Sequence, residues 1–326
     1  MRRVVGIDIG KHSIKLVEIE ERKKDVELTK CGIIRVANKD IKTALKNLIL
    51  AQDITAKRIN VSLAGLSVIV RYIEMPAMKK EELKSSIKFE AEKYIPFNLK
   101  DSIIDCAMLD KTASGQQRVI LVAVKRNEVE ELIALFKDTG LNMNIIDIDS
   151  FAFLNSFQRL NIEGVENKTY ALLNIGEKLS NMNIITNGNA FFTRDILWGG
   201  SDLTNRIKDT MGTNLEEAEE IKENGIDRKD EIEEILSPVL ERLSLQIRMS
   251  FDYFESQFGK TVDTIYLSGG TSYLFNIVDF FKDSLGIETL MWNPFEGINI
   301  QESVNEMAIE RTPSLFAVAV GLALRK

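Results

Sequence analysis

Apolar residues along this chain keep two rhythms: short runs that alternate with period two, and longer stretches that recur every three to four positions. Three runs of the first kind open it, Val4–Ile9, Ser13–Glu20 and Val26–Val36. They are rich in β-branched residues and parted by Gly10-Lys11-His12 and by a charged Glu-Arg-Lys-Lys-Asp turn, which predicts a β-meander. Asp40 is placed to cap an amphipathic helix carrying Ile41, Leu45, Leu48 and Ile49, and Ile59–Leu63 returns as a strand.

From Val68 the order changes to β-α-β-β-α-β: a strand to Glu74, helix Lys79–Tyr94, strands Ile103–Leu109 and Arg118–Val124, helix Asn127–Asp138 and strand Met143–Asp147. The first of these helices stripes Leu83, Ile87, Ala91 and Tyr94 and must stop before Pro96. The unit reads as a compact inserted α+β subdomain over 68–147. A helix over Ser150–Leu160 and a polar loop, Glu163–Lys168, lead to a second meander, Thr169–Ile175, Ser180–Thr186 and Ala190–Ile196. Two meanders, each with a glycine turn after its first strand, predict a duplicated α/β fold with a cleft between the halves. Helices over 200–211, 215–223 and 230–258 follow, then strand Thr264–Leu267, helix Tyr273–Leu285, strand Ile287–Met291 and a closing helix Pro313–Leu324.

Composition narrows the function classes. With 326 residues the chain can bury more than one core, and a net charge of −7 offers no broad attraction to nucleic acid or anionic lipid. Cys31 and Cys106 lack the spacing of a zinc or redox motif and suit a reducing cytoplasm. The apolar stretch at the N-terminus is too short for a signal peptide. The apolar window Leu315–Leu324 falls short of the roughly 20 residues that cross a bilayer, which argues against direct membrane insertion.

Three segments carry candidate chemistry. In Gly6-Ile7-Asp8-Ile9-Gly10-Lys11-His12-Ser13-Ile14-Lys15 a strand ends in Asp-x-Gly and reverses, so that backbone N–H groups can cradle a phosphate and Asp8 can hold a hydrated Mg²⁺. A tight hairpin with a structural Asp-Gly looks the same on its own. Asn174-Ile175-Gly176-Glu177-Lys178-Leu179-Ser180 occupies the equivalent place in the second meander. Leu267-Ser268-Gly269-Gly270-Thr271-Ser272 follows a strand with glycines that open a helix. His12 reads as a solvent-facing turn residue, since nothing near it in sequence offers a partner.

Together, in this order, the three segments resemble the phosphate 1, phosphate 2 and adenosine motifs of the actin, Hsp70 and sugar-kinase superfamily. Within it, Glu90-Ala91-Glu92-Lys93-Tyr94-Ile95-Pro96-Phe97, Asp147-Ile148-Asp149-Ser150-Phe151-Ala152, Gly199-Gly200 and Glu217-Ala218-Glu219-Glu220-Ile221-Lys222 resemble the PilM family of type IV pilus assembly proteins, which is FtsA-like. That resemblance implies an actin-like (ribonuclease H-like) duplicated α/β fold with a 1C-type insert. The first domain takes 1–67 with 148–165, the insert 68–147, the second domain 166–312, and 313–326 returns as a connecting helix. It assigns Ala152, Ala319 and Gly321 to close crossing of two connecting helices.

It implies ATP and Mg²⁺ as cofactors, with Asp8, Gly10 and Lys15 at the phosphates and metal, and Asn174, Gly176 and Ser180 in the second hairpin. Gly269, Gly270 and Thr271 would border the adenosine. Glu219 and Lys222 would contact ribose and base, with an i, i+3 surface ion pair as the alternative reading. Asp149 would orient a water as the catalytic candidate. Superfamily members that hydrolyse ATP well carry aspartate where this chain has Asn174, so the resemblance implies ATP binding with slow or absent hydrolysis. The implied partner is a PilN-like inner-membrane protein, whose cytoplasmic N-terminal tail docks near Tyr94, Ile95, Pro96 and Phe97. The protein would then be cytoplasmic and peripheral to the inner membrane, with self-association left open. An FtsA-like filament former, expected to end in an amphipathic anchor helix, and a small-molecule kinase of the same fold are the alternatives.

Overall fold

The computed structural model describes residues 2–22, 25–36, 40–56, 58–112, 114–159, 168–304 and 306–325. The chain opens with the antiparallel meander β1 (Arg2–Ile9), β2 (Ser13–Arg22) and β3 (Asp25–Arg35). Helix α1 (Ile41–Ala51) follows, with the Asp40 carboxylate accepting from the Thr43 amide as its N-cap. Strand β4 (Arg58–Leu63) then lies parallel to β1. Four elements form the insert: β5 (Val68–Met75), α2 (Lys80–Ala91), β6 (Ser102–Lys111) and β7 (Gln117–Lys125). Its antiparallel sheet runs β5-β7-β6, and α2 buries Leu83, Ile87 and Ala91 against Ile73, Val119 and Leu121.

The expected fifth and sixth elements do not belong to the insert. Helix α3 (Arg126–Lys137) buries Leu132 and Phe136 in the first half's core, and β8 (Asn142–Ile148) pairs parallel with β4. The duplication explains why. The second half, β9 (Thr169–Ile175), β10 (Ser180–Thr186), β11 (Asn189–Ile196), β12 (Thr264–Ser268) and β13 (Glu288–Met291), is ordered β11-β10-β9-β12-β13. The first half runs β3-β2-β1-β4-β8 in the same sense, with β14 (Asn299–Ile300) added beyond β3. Each half therefore needs a fifth parallel strand, and β8 fills that position, so the insert contracts to four elements between β4 and α3.

Helices α5 (Gly200–Met211), α6 (Leu215–Asn224) and the long α7 (Lys229–Phe258) cover the second sheet around a core of Leu173, Ile184, Leu203, Leu243 and Phe254. Helix α8 spans Ile277–Leu285 and begins later than its apolar pattern suggested, because Asn276 sits at φ 59° and residues Gly270–Tyr273 form a separate 3-10 turn. Short α9 (Glu306–Arg311), which carries no readable period, precedes α10 (Ala317–Leu324).

Helix α10 returns to the first sheet. A Cβ on Gly6 of β1 would stand 2.0 Å from the Ala319 carbonyl, and Asn60 donates to the Leu322 carbonyl at 2.8 Å. It also crosses α4 (Asp149–Arg159), where a Cβ on Gly321 would fall 1.6 Å from the Ala152 carbonyl. Only glycine allows that approach. The expected crossing of α4 and α10 is thus made backbone against backbone, and the two helices join the halves at the base of the cleft. Among the described residues no helix is long and apolar enough to cross a membrane.

Candidate functional site

The first hairpin presents charge. Asp8 and Lys15 are cross-strand partners on β1 and β2, with Lys15 Nζ 3.2 Å from Asp8 Oδ2, both side chains largely buried. The turn closes by Gly10 N–H donating to the Ser13 carbonyl at 3.1 Å, and a Cβ on Gly10 would crowd that carbonyl at 2.8 Å. Asp149, at the first position of α4, faces this pair. Burial, then the neighbouring Asp8 carboxylate, pushes its carboxyl up to about 7, with Asp195 adding to the rise; the Ser62 hydroxyl and Lys15 oppose it. Asp149 still keeps some contact with solvent, as a cleft-lining group would.

The second hairpin is built differently. Gly176 N–H donates to the Leu179 carbonyl at 3.0 Å, and the Gly176 carbonyl accepts from Gly200 N–H at 2.9 Å and from the Thr271 hydroxyl at 3.0 Å. Ser180 is fully buried and donates to the Trp198 carbonyl at 2.8 Å. Its hydroxyl is therefore engaged in holding the hairpin to the β11–α5 junction. A Cβ on Gly269 (φ +88°) would lie 2.4 Å from the Ile175 carbonyl and 2.6 Å from Asn174 Oδ1, so this position requires glycine for both conformation and space. At Gly270 the nearest atom would be 3.8 Å away, leaving that backbone accessible.

Glu219 and Lys222 form the i, i+3 pair, at 2.7 and 2.8 Å. They also meet the start of α5: Lys222 Nζ is 2.9 Å from Thr204 Oγ1, and Glu219 is 2.5 Å from the same hydroxyl. Burial pushes Glu219 up, but the hydrogen bonds from Lys222 and Thr204 outweigh it and leave the carboxyl below its usual range. The pair, Gly200 and Thr271 surround one spot, since a Cβ on Gly200 would be 2.6 Å from Thr271 Oγ1 and 3.4 Å from Lys222 Nζ.

His12 does have a partner, supplied from the other half. Its Nε2 lies 3.9 Å from Glu223 on α6, and Arg35 reaches the same carboxylate at 3.6 Å. The expectation of a free turn residue considered only its sequence neighbours. His12, Glu219 and Glu223 bring ligand atoms within 4.8 Å of one another, the single such group among the described residues. Lys222 and Arg35 already neutralise its two carboxylates.

Sequence reasoning missed Asp195. It lies on β11 directly across from Asn181 of β10, which donates to it at 2.5 Å and is itself paired with Asn174 of β9. One row of the second sheet therefore reads Asn174, Asn181, Asp195, ending in a carboxylate near Asp149. Desolvation by the surrounding protein pushes Asp195 up, partly offset by the Asn181 hydrogen bond, although the residue keeps an exposed face that softens the rise. Asp8, Asp149 and Asp195, with Lys15 as the nearby cation, set carboxylates close enough to influence one another between the halves, although their oxygens do not converge within the 4.8 Å reached by His12, Glu219 and Glu223.

At the corner after α2, Ile95 is buried and Phe97 packs beside it in the insert's core, while Tyr94 and Pro96 are exposed. The four expected docking residues thus divide into two that build the corner and two that present it. Phe89 on α2 is 77% exposed and extends the apolar surface of this subdomain.

The fold has clear relatives. The chain is similar over 99% of its length to a chain of a PilM-PilN type IV pilus biogenesis complex, at 27% identity, 98% coverage of that chain and a TM-score of 0.88. It is also similar to the ethanolamine utilization protein EutJ from Carboxydothermus hydrogenoformans (16% identity, 99% and 90% coverage, TM-score 0.61). MreB 5 of Spiroplasma citri bound to AMPPNP shares the fold at 12% identity, 98% and 95% coverage and a TM-score of 0.52. These neighbours establish an actin-like fold. The model of the family described as type IV pilus assembly protein PilM matches residues 6–326, and the chain therefore belongs to that family.

Proposed function

We propose that the cleft binds ATP with Mg²⁺, turns it over slowly or not at all, and that the insert docks the cytoplasmic N-terminal tail of a PilN-like inner-membrane protein. Type IV pilus assembly would thereby gain a nucleotide-dependent scaffold at the inner face of that membrane. The observation that carries the reading is a glycine hairpin in each half together with Asp8, Lys15 and Asp195 gathered around the Asp149 carboxyl.

Lys15 and the Gly10 backbone would meet phosphate oxygens, and Asp8 and Asp195 would hold the water shell of Mg²⁺. The metal supplies charge neutralisation at the phosphates. Thr271, Gly270, Glu219 and Lys222 border the place for the nucleoside. Asp149, which ionises near neutrality, is the group able to take a proton from an attacking water. Weak turnover fits a site in which Asn174, turned toward the Gly269 backbone, adds no charge from the second hairpin. For the partner, the structural neighbour that contains PilN supports the choice of protein, and exposed Tyr94 and Pro96 on a corner stiffened by Ile95 and Phe97 support the place.

Titration with a fluorescent ATP analogue and Mg²⁺, with phosphate release followed in parallel, tests the nucleotide reading. Binding that falls by about a hundredfold in Asp8→Ala, with little phosphate released, is expected. Absence of binding by the wild-type chain would overturn it.

A further inference from the structure

The insert and the cleft are joined by a chain of side chains. Tyr72 of β5 places its hydroxyl 2.9 Å from Thr193 Oγ1 on β11. Thr193 donates to Asn183 Oδ1 on β10 at 2.9 Å, and Asn183 Nδ2 donates to the Ser150 carbonyl at 3.0 Å. Ser150 follows Asp149 directly in α4.

Proton counting fixes the direction of every bond. A carbonyl only accepts, so the Asn183 amide nitrogen faces Ser150 and its oxygen faces Thr193. Thr193 has one hydroxyl hydrogen and gives it to Asn183, so Tyr72 is the donor at the insert's end. Burial pushes the Tyr72 phenol up to about 12, which keeps that proton in place at ordinary pH. Asn183 is fully buried, so both of its bonds are shielded from competing water.

Strand β11 also carries the cleft carboxylate. Thr193 and Asp195 are two residues apart and share a face, and their cross-strand partners Asn183 and Asn181 form neighbouring rungs. Arg118 of β7 holds the same strand further along. Its guanidinium lies 4.3 Å over the Phe191 ring and 3.5 Å from the Ala190 carbonyl, and Asp110 fixes it at 3.0 Å.

From this placement we infer that the insert reads the occupancy of the cleft through β11, with Tyr72, Thr193, Asn183 and the Ser150 carbonyl as the mechanical link. The link rests on the nucleotide reading above for what fills the cleft. Should Asp195 shift toward the first half when it helps hold a cation's water shell, the adjoining Thr193 rung would carry Tyr72 and the insert with it. Coupling of this kind is reciprocal, so a peptide on the insert also changes nucleotide affinity.

Hydrogen exchange on the full chain tests this, comparing wild type with Tyr72→Phe, each with and without Mg²⁺ and a non-hydrolysable ATP analogue. Tyr72→Phe removes only the terminal donor and leaves the Thr193–Asn183–Ser150 bonds intact. Thr193→Val strands the buried Asn183 oxygen and confounds folding with coupling. In wild type the analogue is expected to alter exchange in both the β1–β2 turn and the insert. In Tyr72→Phe the turn responds as before, affinity stays within about twofold, and the insert's response drops severalfold. An undiminished response of the insert overturns the link. Should wild type bind no analogue, the nucleotide reading fails, and the ligand-free pair still decides the link: Tyr72→Phe must speed exchange across Phe191–Asp195, and an unchanged β11 overturns it.

Discussion

The two glycine hairpins occupy equivalent places in the two halves and have divided the work between them. The β1–β2 hairpin carries charge on its own strands, with Asp8 and Lys15 facing each other at 3.2 Å. The β9–β10 hairpin carries none in the corresponding rungs. Its Gly176 carbonyl and Ser180 hydroxyl are engaged with α5, Thr271 and Trp198, and the carboxylate of that half has moved two strands over, to Asp195. A duplicated fold therefore preserves backbone geometry in both copies while leaving each free to draw its charge from a different strand. Motif reading follows the glycines and so finds the geometry, but it does not find displaced charge.

Five substitutions sharpen or break this contrast. Gly269→Val should have the largest effect. It puts a β-branched residue at φ +88° with a Cβ 2.4 Å from the Ile175 carbonyl, and a loss of about 3–4 kcal/mol in denaturant unfolding is expected. Normal stability in that variant would mean the second hairpin is not held as described.

Asp149→Asn comes next, through its pH dependence. The ordinary aspartate value is 3.8 and that of Asp149 about 7, so between these the folded state keeps a proton that the unfolded chain has lost. Stability contributed by this group is full below about pH 4 and declines as pH rises to 7. The variant should match wild type in melts at pH 4 and exceed it by about 1–3 kcal/mol at pH 8, the lower figures reflecting the partial contact of the carboxyl with cleft water. A constant difference across pH would show that Asp149 ionises normally.

Asp195→Asn is expected to weaken Mg²⁺-dependent nucleotide binding about tenfold, whereas Asn174→Asp should not improve turnover, because residue 174 is aimed at the Gly269 backbone. If Asn174→Asp raised phosphate release, the second hairpin would be a disabled copy of the first, and the division of work would be wrong. Ser180→Ala is the mildest. It should cost about 1 kcal/mol of stability and leave nucleotide affinity unchanged, since its hydroxyl binds the Trp198 carbonyl.

Much of the frame was legible in the sequence. Both meanders, α1 with its Asp40 cap and the α2 stripe follow from periods and caps, while the small residues at the α4–α10 crossing come from the family resemblance. The assignment of β8 to the insert failed because a strand's alternation shows which face is buried but not which sheet it joins. Asp195 was invisible for a related reason. It sits in an ordinary strand without glycine, and only pairing with Asn181 brings it to the cleft. The same holds for the His12–Glu223 contact, which exists only once the two halves face each other.

The crossing of α4 and α10 gives the molecule a bearing that is bare at one point. Where helices meet through interlocked side chains, any rotation must lift one set of ridges out of the other's grooves. At the crossing point itself the surfaces at Gly321 and Ala152 are a hydrogen and a carbonyl, while Phe153, Phe157, Val318 and Leu322 pack together around it. The halves are thus held at a fixed close distance at this point, with no room for a side chain between the two backbones. A methyl group at residue 321 would act as grit in that bearing. It would be felt wherever the halves meet, at the Asp8 floor and at the His12–Glu223 rim alike, although it touches neither.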